Sequence, residues 1–182
     1  MAVVLSSTTS TDLTLSAPTP SDLHALSILQ SAAFPEQPFA NNYARYQRYH
    51  KECPAKLEHC RIVKLSNEVV VAACQLQLRA KNGGAFDVII EWIGCHPDHR
   101  GKGVGTMLLD WAGNFAHEAL GVTKLGLYMI KSNTDARRLY ERHGFAAVGG
   151  SHTANKRQQR FRRNLDRWFG HWSVLRMEKN LS

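Results

Sequence analysis

A run of alternating glycines and basic residues is the part of the sequence best suited to chemistry. Glycines spaced in this way let the backbone approach a ligand and turn several N–H groups toward one point. Residues 104–120 after it have helical spacing, so the positive end of a helix dipole is expected at the same point. The loop therefore suits a pyrophosphate, and it reads Arg100-Gly101-Lys102-Gly103-Val104-Gly105.

Two familiar nucleotide-binding loops do not fit this stretch. A Walker A loop requires Gly-Lys-Ser/Thr, but Gly105 is followed directly by Thr106. A dinucleotide fingerprint requires a third glycine where Thr106 stands, and it requires a β-α-β setting rather than hairpins. The alternative is a flexible turn into an amphipathic helix. Such a turn would not require three glycines, each of which destabilises a helix by roughly 0.5–1 kcal/mol if it lies in the helix interior.

A tyrosine on the predicted helix 134–143 is a candidate general acid. The phenol of Tyr140 stays protonated at neutral pH and can give its proton to a leaving thiolate. Ala136, Leu139 and Tyr140 are also at helical spacing, which is equally typical of an aromatic residue that only packs.

Glu91 is a candidate general base on the predicted strand 85–95. It stands in an apolar run, where an ionised carboxylate is unusual and therefore points to chemistry. The alternative is a carboxylate at a strand edge that faces solvent or pairs with an arginine. His96, at the end of the same strand, is a second candidate base.

The elements that must position these residues follow from hydrophobic periodicity and turn signals. Their order predicts a mixed α/β or α+β domain around one sheet. The predicted strands are 12–17, 60–65, 69–79, 85–95, 124–130, 145–149 and 171–178, and the predicted helices are 20–33, 42–52, 104–120, 134–143 and a short one within 156–167.

Composition limits the class of protein. The 182 residues are 43% hydrophobic and 21% charged, as in a soluble globular domain, and no apolar run approaches the ~20 residues of a membrane helix. Residues 1–16 contain no Lys or Arg, unlike a secretory or mitochondrial leader, so we expect a cytoplasmic protein. Cys53, His59 and Cys60 lack the spacing of a zinc site, and no metal is expected.

The net charge of +8 is concentrated near the C-terminus, where residues 151–182 contain eight basic and two acidic residues. Phe161, Leu165 and Trp168 in this segment have helical spacing. The segment is either a solvated cationic helix or a surface for an acidic acceptor or nucleic acid. The aromatic–basic alternation of a nucleic-acid-binding sheet is missing.

Two motifs in this sequence resemble those of the GCN5-related N-acetyltransferase (GNAT) superfamily. The first is a strand, then Arg/Gln-x-x-Gly-x-Gly/Ala, then a long helix, here within residues 91–120. The second lies within residues 131–145. The matching residues are Arg100, Gly103 and Gly105 in the first motif, and Asn133, Ala136, Tyr140, Gly144 and Phe145 in the second.

The resemblance implies a GNAT-like α/β (α+β) fold, with a central mixed, mostly antiparallel sheet of about seven strands flanked by helices. It implies one acyl-CoA N-acyltransferase domain over residues 1–182, with a basic insert at about 155–170 before the last strand. The acceptor is expected to be a primary amine of a small molecule or peptide, attacked directly. We expect a monomer or homodimer with no membrane or nucleic-acid partner.

The resemblance also implies roles for individual residues, with acetyl-CoA as co-substrate and no metal. Tyr140 corresponds to a general acid, and Glu91 stands where some relatives carry a base. Tyr128 stands where others carry a glutamate, so that base is missing. The implied cofactor-binding residues are Ile93, Cys95, Arg100, Gly101, Lys102, Gly103, Val104, Gly105, Thr106, Asn133, Ala136 and Tyr140.

Two other functions are compatible with the sequence. A non-catalytic acyl-CoA-binding or sensing domain would bind the cofactor without transferring its acyl group. A nucleic-acid-binding protein would use the C-terminal basic segment, and its binding would weaken steeply with salt.

Overall fold

The computed structural model describes residues 13–34, 38–80, 86–148 and 174–181. Within them, seven strands form one sheet. The strands are β1 (Leu13–Ser16), β2 (Cys60–Leu65), β3 (Val70–Ala80), β4 (Phe86–Cys95), β5 (Lys124–Ile130), β6 (Ala146–Ala147) and β7 (Val174–Asn180). The helices are α1 (Leu23–Ala33), α2 (Phe39–Glu52), α3 (Ala55–Glu58), α4 (Val104–Asn114) and α5 (Thr134–Arg142).

The sheet has the strand order β1-β2-β3-β4-β5-β7-β6. Only β4 and β5 pair in parallel, and every other neighbouring pair is antiparallel. The predicted mixed, mostly antiparallel sheet is therefore confirmed. The sequence did not predict that β7 lies between β5 and β6, because pairing between distant strands leaves no local pattern.

Several predicted boundaries were wrong. Helix α2 begins at Phe39 rather than at residue 42, α4 ends as an α-helix at Asn114, and residues 115–119 continue it as a π-helical turn. Helix α3 was not predicted. The predicted helix within 156–167 and the basic insert at about 155–170 lie outside the described residues.

A β-bulge at Glu91 changes which face of the sheet β4 presents. In the pairing with β3, Gln75 lies opposite Trp92 and Leu76 opposite Ile90, so Glu91 is an extra residue without a counterpart. Strict alternation would put residues 90 and 92 on the same face. Instead Ile90 packs in the core beneath α4, and Trp92 packs in the core with α1 and α2.

The sheet therefore separates two apolar cores. One core is covered by α4, which buries Leu108 and Leu109 against β3 and β4. The other is covered by α1 and α2, which bury Leu26 and Tyr46. The two cores fix the helices on opposite faces of β4, so both faces of this strand are defined where the candidate residues lie.

Strand β4 has a partner on its β5 side along only part of its length. The parallel pairing joins Val88, Ile89 and Ile90 to β5 and ends there. The edge of β4 from Glu91 to Cys95 is left open toward β5, while its other edge continues to pair with β3.

A close contact fixes the end of α1 on β4. A Cβ atom added at Gly94 would lie 2.9 Å from the Cβ atom of Ala33, closer than two carbon atoms can approach without a shift. The glycine therefore allows the last residue of α1 to rest on the backbone of β4.

We predict that Gly94→Ala lowers the free energy of unfolding by ~1–3 kcal/mol through overpacking. In an Ala33→Gly background, the same substitution should cost less than half as much, because the opposing methyl group is gone. Denaturant unfolding of the four proteins in this double-mutant cycle measures both values. An equal cost in both backgrounds would assign the defect to the strand itself.

Candidate functional site

The glycine loop has the backbone conformation that its sequence predicts. Gly101 and Gly103 have φ values of 74° and 79°, a region that residues with side chains rarely adopt. A Cβ atom at either position would meet nothing within 4 Å, so the loop borders open space. The free N–H groups of the first turn of α4 begin directly after Gly103.

A cleft of about 790 Å³ lies in front of this loop, between β4, α4 and α5. Nearly all of the predicted cofactor-binding residues line it. Lys102 belongs to the loop but is exposed and does not line the cleft. The predicted residues that line the cleft are Ile93, Cys95, Arg100, Gly101, Gly103, Val104, Gly105, Thr106, Asn133, Ala136 and Tyr140.

Cys95 lies in this cleft with its thiol half-buried. Burial raises the pKa of the Cys95 thiol, and the charges of Arg100 and Lys102 act in the opposite direction. Lys102 therefore contributes positive potential to the cleft although it does not line it. The Nε group of Arg100 donates to the carbonyl oxygen of Cys95 at 3.4 Å.

Helix α5 brings two arginines to the cleft that sequence reasoning missed. Arg138 and Arg142 both line it, and their spacing of four residues on a helix that follows Asn133 was a detectable signal. Asp135 is the one acidic residue in the lining as far as the structure describes it, and it lies 3.8 Å from Arg138 in an exposed pair. The cleft is therefore positively charged where the loop opens.

Asn133 starts α5 beside the cleft. Its Oδ1 atom accepts a hydrogen bond from the backbone N–H of Ala136 at 3.1 Å, as expected of an N-cap. The cap leaves the Nδ2 group able to donate to a ligand. Asn133 thus supports the helix and borders the ligand space at the same time.

A second, smaller cavity of about 170 Å³ lies where β4 and β5 stop pairing. It joins the cleft, since five residues line both spaces. The shared residues are Phe34, Ile93, Asn133, Ala136 and Tyr140.

Tyr140 stands at this junction and is only 8% exposed. Its ring meets that of Phe145 edge-on, with centroids 6.0 Å apart. Burial, with a smaller effect of Cys74, raises the pKa of the Tyr140 phenol well above its ordinary value. The phenol therefore stays protonated and can serve as a hydrogen-bond or proton donor in the neutral range.

Glu91 lines the smaller cavity. Its side chain is exposed to solvent, so Glu91 can exchange protons with water at the place where it borders the cavity. Its charge still reaches the neighbouring helix: burial and then the charge of Glu91 raise the pKa of Tyr49. Glu91 is the extra residue of the bulge. The direction of its side chain therefore does not follow the regular alternation of side chains along β4.

His96 is not brought together with the other candidates. His96 directly precedes the turn Pro97–His99, and its ring is exposed. The ring Nδ1 atom accepts a hydrogen bond from the backbone N–H of Asp98 at 3.4 Å. It lines neither of the two cavities. The geometry therefore favours Glu91 over His96 as the base.

Several solved structures share this fold. Naa50 from Arabidopsis thaliana, solved with the bisubstrate analogue CoA-Ac-MVNAL, has a TM-score of 0.68 and 21% identity over 93% of this chain and 99% of that one. The ribosomal-protein-S18-alanine N-acetyltransferase from Escherichia coli has a TM-score of 0.63 and 19% identity over 94% of this chain and 95% of that one. At these identities the likeness shows the fold.

The sequence comparison identifies the family. Residues 23–145, over half of the chain, match the Acetyltransferase (GNAT) family, and the protein belongs to it. Mycothiol acetyltransferase from Propionibacterium freudenreichii subsp. shermanii is 45% identical over 56 residues, which are 31% of this chain. The match spans only 18% of the length of that relative. The resemblance seen in the two motifs is confirmed.

Two features are absent from the described residues. They contain no group of three or more His, Cys, Asp or Glu side chains that could hold a metal ion. No helix among them is long and apolar enough to cross a membrane.

We predict that the raised pKa of Tyr140 makes stability depend on pH at the alkaline end. Above pH 10 the unfolded chain ionises this phenol while the folded chain keeps it protonated, so the free energy of unfolding falls as pH rises, by up to ~1.4 kcal/mol per unit. Tyr140→Phe lacks this dependence. The difference in unfolding free energy between the two proteins should be constant from pH 8 to 9.5 and decline above pH 10. A constant difference up to pH 11 would contradict the burial of the hydroxyl.

Proposed function

We propose that this protein is an N-acetyltransferase that moves an acetyl group from acetyl-CoA to a primary amine of a small molecule or peptide by direct attack. The observation that carries the proposal is the junction at Tyr140, where a positively charged cleft and a cavity containing a carboxylate meet beside the open edge of β4. Membership of the acetyltransferase family supports it, as does the coenzyme A analogue bound by the Arabidopsis protein of the same fold.

The residues of the cleft fit coenzyme A in chemical type and order. The glycine loop and the N-terminus of α4 offer backbone N–H groups to a pyrophosphate, and Arg100, Arg138 and Arg142 offer positive charge to its phosphates. The free backbone groups of Ile93 and Cys95, with the Asn133 amide, suit the amide groups of a pantetheine arm. Coenzyme A supplies the activated acetyl thioester when bound.

The side chains at the junction have complementary roles in the transfer. Glu91, directly or through water, removes a proton from the ammonium form of the acceptor, and the neutral amine attacks the thioester carbonyl. A backbone N–H of β4 donates to the carbonyl oxygen as negative charge develops there. The C–N bond forms and the C–S bond breaks. The nitrogen loses its remaining excess proton to solvent, or to Glu91 once Glu91 has released the first proton to solvent. Tyr140 donates a proton to the sulfur and is reprotonated from solvent.

The proposal includes the setting of the enzyme. We propose one domain over residues 1–182, acting as a monomer or homodimer in the cytoplasm, without a metal and without a membrane or nucleic-acid partner. The sheet supports this in part, since it joins strands from Leu13 to Asn180. The four free cysteines are consistent with a reducing compartment.

We predict that Tyr140→Phe lowers kcat about 100-fold or more while the KM for acetyl-CoA stays within about twofold, because the ring still packs but its proton is lost. Thiol release from acetyl-CoA across a panel of primary amines measures both. Tyr43→Phe, which removes a hydroxyl from α2 away from both cavities, is the matched control and should behave as wild type. An unchanged kcat in Tyr140→Phe would remove this residue from the mechanism, and no release with any amine would favour a binding or sensing domain.

We predict that Glu91→Gln lowers kcat/KM for the amine most at neutral pH. The deficit should shrink as pH rises, because the neutral fraction of the amine increases about tenfold per unit below its own pKa. The control is Glu118→Gln, an exposed carboxylate after α4. Identical pH profiles for Glu91→Gln and the wild type would assign proton removal to water alone.

A further inference from the structure

The smaller cavity has a different chemical character from the cleft that it joins. Of the described residues, eight line it without lining the cleft, and six of these are apolar, including Trp92, Met129 and Ile130. The other two are Tyr128 and Glu91. The cleft, in contrast, contains Arg100, Arg138 and Arg142. The two ends of the junction therefore select for opposite kinds of ligand group.

Aromatic rings form one side of the smaller cavity. Phe34, directly after α1, meets Trp92 edge-on with ring centroids 6.2 Å apart, and Trp92 is only 7% exposed. The contact of Gly94 with Ala33 fixes this end of α1 on β4. These walls are held by packing, as in a preformed ligand pocket.

Charges of both signs lie near this cavity and give no net preference for a second charged group on its ligand. The guanidinium of Arg79 lies 5.8 Å from the ring centroid of Tyr128, and Arg176, paired with Glu178, lies opposite Tyr128 in the sheet. These cations would repel a second ammonium but attract a carboxylate, and Glu91 would do the reverse, so neither charge gains on balance. Glu91 is the one charged side chain among the described residues of the lining. Either group would also lose hydration against apolar walls.

We infer that the acceptor carries its amine on an uncharged apolar group that occupies the smaller cavity, with the amine beside Glu91. This inference rests on the proposed function. Apolar surroundings disfavour the ammonium form and so help to generate the neutral nucleophile. Glu91 attracts the incoming ammonium and accepts its proton. The apolar group supplies the binding free energy by leaving water.

Three amines of nearly equal size test the inference with saturating acetyl-CoA. They are pentylamine, 1,4-diaminobutane and 4-aminobutanoate, which end in a methyl, an ammonium and a carboxylate group. We expect kcat/KM for pentylamine to exceed that for each of the others at least tenfold. From propylamine to hexylamine, kcat/KM should rise about fourfold per methylene until the cavity is full. Equal values, or a preference for either charged amine, would overturn the inference.

A charge placed in the wall should reverse the preference. In Ile130→Asp, kcat/KM for pentylamine should fall at least tenfold while that for 1,4-diaminobutane is kept or rises, and the KM for acetyl-CoA should not change. The matched control is Val69→Asp, at a position 48% exposed before β3, with wild-type kinetics for both amines. Misfolding would lower kcat/KM for both amines equally, so the values for Ile130→Asp are corrected for its folded fraction. If the corrected kcat/KM still fell equally for both amines, the inference would be contradicted.

The apolar cavity could instead receive a long acyl chain, which has the same chemistry but a different source. Comparison of acetyl-CoA with hexanoyl-CoA, both with propylamine, separates the two. A higher kcat/KM with hexanoyl-CoA, lost in Ile130→Asp, would assign the cavity to the donor and overturn the inference. Transfer confined to amines that carry a second charged group would overturn the inference alone. Absence of transfer to any amine would overturn the proposed function with it.

Discussion

The backbone of β4 has unmatched hydrogen-bonding groups toward β5 after Ile90, and the rest of the site depends on this fact. Backbone N–H and C=O groups along an open sheet edge can pair with water or with an extended ligand that adds to the sheet. A pantetheine arm has amide groups suited to that task. The glycine loop follows the same strand within a few residues, which places an anion-binding site at the end of the open edge.

The bulge at Glu91 gives this edge two different sides. It directs Ile90 and Ile93 into the core beneath α4, and it turns Trp92 to the opposite core with α1 and α2. Residues from both faces of this strand therefore line the two cavities that meet at Tyr140. A regular strand of the same sequence would place Trp92 with Ile90, and the aromatic wall beside Phe34 would be lost.

The local parts of the site could be predicted from the sequence, and the long-range parts could not. Gly101 and Gly103 indicate a left-handed backbone before a helix, and Asn133 indicates a helix cap. These properties depend only on adjacent residues. The contact of Phe34 with Trp92 is long-range in this sense, because it depends on Gly94 letting α1 rest on β4. The local sequence also does not predict the neighbours of β7, since strand pairing depends on residues far apart in the chain. The Glu91 bulge depends on the register with β3, which the hydrophobic pattern of one strand does not fix.

The position of β7 between β5 and β6 has a consequence for biosynthesis. It is the last of the seven strands to leave the ribosome, yet it lies inside the sheet. Until it emerges, β5 has an unpaired edge, and unpaired edges are prone to associate with other chains. The nascent chain can assemble α1, α2 and the hairpins of β2–β4 early, but it must keep β5 from other partners until β7 has been synthesised. A premature stop within residues 174–180 would therefore leave a chain that contains both motifs of the site but lacks the strand that completes its sheet.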